Sequence, residues 1–409
     1  IPLEGWNSWG GVIVETEPYT TSSFLEQESR KDKSFALNIY GNYEFTTGGN
    51  NFNFMLGGNA ESGTYYDHYS RRDDLLDYNL PEFNLATGAQ TVRGAHSQWA
   101  TAGYFGRINY DYNGIWLLEF NGRYDGSSRF PSHSRWAFFP SASAGYRISE
   151  EGFFEPLRDV VGNAKLRASY GEIGNQAVGS NMYLATMAKR TDANTHWLAD
   201  DGTKVVAYDL PKLVSPTLKW ERIQTLDFGG DFGFLNNSLN VTFDWYQRTT
   251  RDMLAPGKTM PEVLGASAPY TNAGVLRTRG WELTVDWRHR FNDVLVYANA
   301  NIGDFITTIV KWDNDTKLLN TNYSGKRYGD IWGFETDRYF PEDDFNADGT
   351  YKSGVASQTG LQQGTFVFGP GDIKFKDLDN SGVIDGGAGT ADDHGDLKVI
   401  GNFTPRFQY

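Results

Sequence analysis

From residue 34 to residue 311 the chain repeatedly alternates apolar and polar positions with a period of two. Within 115–125 one set reads Trp116, Leu118, Phe120, Gly122, Tyr124, and the intervening set carries Glu119, Asn121, Arg123 and Asp125. Successive strand side chains point to opposite faces, so such a segment has one apolar, aromatic face and one charged face. The pattern predicts strands over 34–47, 51–66, 101–112, 115–125, 136–148, 164–173, 219–234, 238–250, 279–290 and 294–311, with a partial strand over 400–409. Short connections (48–50, 113–114, 149–162, 235–237, 291–293) alternate with longer ones (67–99, 126–135, 174–217, 251–277, 313–399). Gly48-Gly49-Asn50 and Asn113-Gly114 suit the positive φ of tight hairpins. A short helix is predicted over 150–160, with Ser149 as N-cap and Glu150 and Glu151 in its first turn.

Two architectures place such strands. A soluble sandwich buries the apolar face under a second sheet and mixes its connections through Greek keys. A membrane barrel turns that face to lipid, keeps charges in a wet lumen, and runs up and down with one short-turn end and one long-loop end. The alternating connection lengths favour the all-β, antiparallel, up-and-down transmembrane barrel.

Composition fits. Aromatic residues make up 15% of the 409 residues while mean hydropathy is −0.52, as half-apolar strands joined by polar loops would give. No apolar run approaches the length of a membrane-spanning helix, so a membrane role must rest on strands. There is no cysteine, which excludes disulfides. A net charge of −14 argues against a nucleic-acid partner, which would require a basic stripe. The start at Ile1-Pro2-Leu3-Glu4, without a leader pattern, reads as an interior piece of a longer protein.

Several long motifs carry a family resemblance: 104–151 (YFGRINYDYNGIWLLEFNGRYDGSSRFPSHSRWAFFPSASAGYRISEE), 218–254 (LKWERIQTLDFGGDFGFLNNSLNVTFDWYQRTTRDML), 272–287 (NAGVLRTRGWELTVDW), 371–385 (GDIKFKDLDNSGVID) and 400–409 (IGNFTPRFQY). In this order they resemble the barrel of SusC/RagA-type TonB-dependent outer-membrane transporters. The resemblance implies a barrel of about twenty-two strands. Residues 1–409 would supply roughly half of it as one partial barrel domain, with the N-terminal plug, TonB box and final strands outside the chain. It further implies energy-coupled import of oligomeric nutrients, glycans or else peptides, with a SusD-like surface lipoprotein as lid, the TonB complex as energy source, and a location in the outer membrane of a Bacteroidota-like Gram-negative cell. Alternatives are a soluble secreted β-rich glycan-binding or glycan-cleaving protein, and a passive porin.

On the barrel reading, Trp116, Tyr124, Trp136, Phe138, Phe243, Trp245, Trp281 and Trp287 face lipid, where rings gather at the headgroup boundary. Arg107, Asp111, Glu119, Arg123, Arg147, Arg167, Asp244 and Glu282 line the lumen and face the plug. Trp99, Tyr183, Trp197 and Tyr270 are loop aromatics suited to stacking on a sugar, or to packing loops together. The connection 313–399 holds 16 acidic and 8 basic residues. Within it Asp377, Asp379, Ser381, Gly382 and Asp385 match the start of an oxygen-rich Ca²⁺ loop spanning 377–388. Position twelve is Ala388, so Asp392 or Asp393 would have to substitute; the plainer reading is an Asx-rich turn. A second, poorer match begins at Asp344. No HExxH, GxSxG or phosphate-binding glycine loop is present, and the six His show no metal-ligand spacing, so no enzyme activity and no required cofactor are expected.

Overall fold

The computed structural model describes residues 6–9, 12–15, 23–77, 79–189, 200–202, 207–257 and 260–404. Ten long strands form one antiparallel sheet in strict sequence order: β3 (Phe24–Thr47), β4 (Asn50–Asp73), β5 (Gln90–Tyr112), β6 (Trp116–Ser127), β7 (Trp136–Arg147), β8 (Val161–Asn175), β9 (Glu221–Phe234), β10 (Leu239–Pro256), β11 (Tyr270–Phe291) and β12 (Val294–Lys311). A two-stranded ribbon of β1 (Trp6–Trp9) and β2 (Val12–Glu15) precedes them.

The contacts divide the chain into two units, residues 1–38 with 59–102, and residues 39–58 with 103–409. In the first, the strands are polar on both faces and are tied by guanidinium–ring contacts: Arg71 on Phe24 (3.9 Å), Arg93 on Tyr69 (4.1 Å) and Arg30 on Tyr65 (4.7 Å). Much of the expected loop 67–99 is therefore strand, and only residues 74–89 connect β4 to β5. The period-two apolar signal fades over 67–73 and 90–99, where both faces of the strands carry polar residues.

In the second unit, backbone hydrogen bonds link successive turns at the short-turn end: Asn113 N–H to Gly49 O (2.9 Å), Arg147 N–H to Ile115 O (2.9 Å), Leu235 N–H to Val160 O (3.4 Å) and Arg288 N–H to Ser238 O (2.8 Å). Asn113 and Gly114 both have positive φ (51° and 67°), as a tight hairpin requires. The predicted helix does not form. Residues Ile148–Glu150 and Gly152–Leu157 are 3₁₀ turns, because Gly152 and Pro156 interrupt any α-helical ladder and Ser149 makes no side-chain cap.

At the long-loop end a small core joins two connections to strand β7. Phe130, Phe139, Val178, Leu218 and Trp220 are buried together, with Phe130 at 0% exposure. Trp220 lies tilted at 4.9 Å from Phe130 and edge-on at 5.5 Å from Phe139, while its Nε1–H donates to Arg135 O (2.9 Å). The connection after β12 is also ordered. β13 (Asp330–Phe334) pairs with β16 (Leu397–Asn402), and β14 (Thr336–Tyr339) with β15 (Ile373–Phe375). The expected strand over 400–409 is thus β16, paired to β13; residues 405–409 lie outside the described set.

Candidate functional site: the two faces of the sheet

Cross-strand register decides which residues share a face. Trp116 opposes Tyr146, Phe120 opposes Ala142 and Tyr124 opposes Phe138. Further along, Leu166 opposes Gly230, Phe243 opposes Leu283, and Trp245 opposes both Phe228 and Trp281. Trp287 pairs with Ala298. The predicted aromatic rows therefore form one continuous apolar face from β6 to β12. It is open, not packed beneath a second sheet: Phe120 and Phe138 are each 52% exposed.

The opposite face carries the charged residues. Glu119 opposes Ser143, which opposes Ser169 and then Asp227. Asp244 opposes Glu282. A depression of about 680 Å³ on this face is lined by Glu44, Asn109, Glu119, Lys165, Arg167 and Asp227 among others. Arg107 Nε–H donates to Asn121 (2.6 Å), Arg123 pairs with Asp125 (2.8 Å), and Asp111 accepts the Gly114 amide (2.6 Å). Arg147 opposes Lys165.

At the centre is a three-strand bridge. Arg167 on β8 donates to Asp231 on β9 (2.9 Å) and to Asp244 Oδ2 on β10 (3.2 Å), with Asp244 Oδ1 at ion-pair distance (2.9 Å). It crosses Gly229, where a Cβ would lie 2.1 Å from Asp244 Oδ1 and 2.9 Å from the guanidinium. Glycine at 229 is what lets one arginine hold carboxylates on two strands.

The aromatic candidates do not converge. Trp99 lies on β5 with its indole over Gly63, where a Cβ would be 2.3 Å away. Tyr183 packs against the Phe130–Trp220 core, and Tyr270 is exposed at the first position of β11. Trp197 lies outside the described residues.

The acidic connection is built around buried polar groups. Carboxylate oxygens of Asp377, Asp379 and Asp396 lie within 4.8 Å of one another. Asp385 is not in this group: its carboxylate accepts the Gly387 amide (2.8 Å), and its own amide donates to Asp396 (3.2 Å). Ser381 donates its amide to Asp377 (3.1 Å) and Asp379 (2.9 Å), and the bond from Ser381 holds the Asp379 carboxyl below its ordinary range. Asp392 pairs with Lys317 (2.9 Å), so neither expected substitute for position twelve joins the cluster; the buried Asp396 does. The hard oxygen donors fit Ca²⁺, although each carboxylate already organises backbone amides. At the poorer match, Asp344 is bound by Arg338 (2.8 Å) and Lys374 (3.0 Å). Burial pushes its carboxyl up, and these two cations more than offset that, leaving it below the usual range.

These features agree with what the chain resembles. Residues 6–398 match the family described as TonB dependent receptor-like, beta-barrel. The chain belongs to that family. Among relatives of this TonB-dependent receptor barrel, TonB-dependent receptor P3 of Formosa agariphila is 28% identical over 79% of this chain and 31% of its own length. TonB-dependent receptor SusC of Bacteroides thetaiotaomicron is 31% identical over 62% of this chain and 25% of its own. A solved structure of the RagAB peptide transporter superposes with TM-score 0.70 at 22% identity, covering 80% of this chain and 36% of that one, and shows the fold alone. The chain thus spans about a third or less of these relatives' length. The ten-stranded sheet is part of the wall of such an outer-membrane barrel. Sequence reasoning missed the Phe130–Trp220 core and Asp396. Apart from Phe139 on β7, these residues lie in connections, where no periodicity marks which residue turns inward.

Proposed function

We propose that the protein containing this chain imports an oligomeric nutrient across the outer membrane, coupled to TonB and served by a SusD-like surface lipoprotein. Glycan is the first assignment for the cargo, and peptide, named for RagAB, is the rival. The supporting observation is the two-faced sheet: its polar face carries Arg167 bridged to Asp231 and Asp244 while its reverse is open and apolar. On this reading Arg107, Asp111, Glu119, Arg123, Arg147, Arg167, Asp244 and Glu282 line a hydrated lumen and meet the plug. The test is uptake of labelled oligosaccharides and peptides by cells carrying the intact protein, with and without a functional TonB complex. Energy-dependent uptake of oligosaccharide is expected. Uptake independent of TonB would favour a passive porin.

We also propose that Asp377, Asp379 and Asp396 hold Ca²⁺ in the long connection. Chelation is expected to expose the segment 377–396 to protease in the intact protein, and added Ca²⁺ to protect it again. An unchanged cleavage pattern would leave the turn-forming role of these carboxylates as their whole function.

A further inference from the structure

The apolar face ends differently at its two ends. Towards the short turns, its last strand positions are Phe234, Leu239, Trp287 and His289, with no arginine or lysine among them. Towards the long loops, the same face passes a row of rings, Tyr170, Trp245 and Trp281, and then becomes rich in guanidinium groups. On β11, Arg279 and Arg277 follow Trp281 on the same face, about 7 and 13 Å further along the strand. Arg251 on β10 opposes Arg222 on β9, again beyond the ring row.

Register brings a further arginine in from the long connection. Arg277 opposes Thr308 of β12, and Thr308 in turn opposes Arg327. Ile309 N–H donates to Lys326 O (2.9 Å) and Tyr328 N–H to Thr307 O (2.8 Å). That makes Thr308 and Arg327 a non-hydrogen-bonded pair, the geometry that sets opposed side chains closest. Two arginines thus flank one threonine on the outward face.

Some of these cations have protein partners. Arg222 is bound to Glu172 (2.8 Å), Arg251 to Gln224 (2.6 Å) and Arg279 to Gln247 (2.8 Å). Glu172 is the carboxylate within this row, and Asp304 sits on the same face one step nearer the membrane, opposite Trp281. By contrast Nε of Arg277, and both Nε and Nη2 of Arg327, are buried and donate to no acceptor among the described residues. A buried guanidinium N–H without an acceptor is costly. These donors sit at headgroup height, just beyond an aromatic belt, on the face turned to lipid.

We propose that this girdle binds the phosphate groups of an outer-leaflet lipid of the lipid A type, with Arg277 and Arg327 as the principal donors. The inference rests on the membrane reading of the apolar face. Guanidinium forks match phosphate oxygens, and a basic cluster beside the hydrocarbon boundary draws anionic headgroups. The lack of such a cluster at the short-turn end of the same face fits a bilayer whose two leaflets carry different headgroups.

The test uses the intact protein in vesicles of phosphatidylethanolamine containing either phosphorylated lipid A or the same lipid A with its phosphates removed, followed by detergent extraction and counting of retained lipid. Retention of the phosphorylated form is expected to exceed that of the dephosphorylated form by about tenfold or more. The preference is expected to fall to near parity in the Arg277→Gln/Arg327→Gln double variant and to persist in Lys317→Gln. Unchanged heat-shifted gel mobility verifies that the double variant is folded, and Arg279→Gln, expected to weaken retention less, offers a second, milder variant. Equal retention of both lipids by the native protein, or an undiminished preference in the folded double variant, would overturn the inference while leaving the membrane reading intact. Displacement of lipid A by excess inorganic phosphate alone would overturn the assignment to a lipid. Failure of the native protein to enter vesicles of either composition would overturn the membrane reading, and this inference with it.

Discussion

Phe243, in the middle of β10, is 43% exposed, whereas Ile384, in the long connection after β12, is wholly buried. In the sheet, order comes from an unbroken ladder: residues 239–250 of β10 pair rung by rung with both neighbours, and the apolar side chains stand outward. In the segment 313–402, order comes from inward packing around a few polar anchors. Phe340 meets Phe345 edge-to-face (5.1 Å) and Tyr351 at a tilt (5.7 Å). The buried Gln358 donates to Ile373 O (3.1 Å) and accepts from Phe375 N–H (2.6 Å), and Asp396 gathers the amides of Leu378, Asp379 and Asp385. The sheet is organised for a non-aqueous surrounding, the connection for water.

The contrast makes different substitutions damaging in the two regions. Phe340→Ala leaves a cavity in the connection and should cost about 3–5 kcal/mol locally. Limited proteolysis within 313–402 should rise sharply while the heat-shifted gel mobility of the barrel stays the same; loss of both together would show that the regions fold as one. Phe243→Arg should do the reverse, costing roughly 2–4 kcal/mol near the bilayer midplane. Assembly into the outer membrane should fall, and an unaffected yield would show that β10 does not meet lipid.

This division also governs what the sequence alone disclosed. Segments such as 115–125 announce themselves because the membrane demands one apolar face and a wet interior permits the other. Residues 67–73 and 90–99 extend strands equally regular, yet both faces there are polar, so nothing in Asp67, Tyr69 and Arg71 distinguishes strand from loop. The candidate ion site shows the same limit. Asp377 and Asp379 are legible from their spacing, but Asp396 reaches them through tertiary folding, 11 residues beyond Asp385. The bridge from Arg167 to Asp231 and Asp244 depends on register across three strands and on Gly229, which a linear reading cannot align.

Smaller effects sharpen the comparison further. Glu335 joins the two short ribbons of the connection by binding Lys376 and Lys398, and these hydrogen bonds hold its carboxyl at about 2, against an ordinary value of 4.5. A carboxyl depressed on folding contributes stability that is complete above its unfolded value and disappears as pH falls through the folded one. Protease resistance of 313–402 should therefore decline between about pH 4.5 and pH 2, and Glu335→Gln should flatten that decline without touching the barrel. In the sheet, Gly229→Ala should separate Arg167 from Asp244 at a cost on the order of 1 kcal/mol, since the pair is only partly shielded from water. Its mark should be a small shift in unfolding, with assembly preserved.

The absence of cysteine permits a direct test of the two-faced sheet, because any introduced thiol is the sole labelling site within this chain. Spin labels placed one at a time along 116–124 of β6 and 239–247 of β10, in the intact protein in lipid vesicles, report collision with oxygen dissolved in lipid and with a water-soluble nickel complex. Strict alternation is expected: Phe120, Phe243 and Trp245 accessible to oxygen, and Glu119, Asn121 and Asp244 accessible to nickel. Labels at Phe120 and Phe243 reached by nickel as readily as those at Asn121 and Asp244 would contradict it.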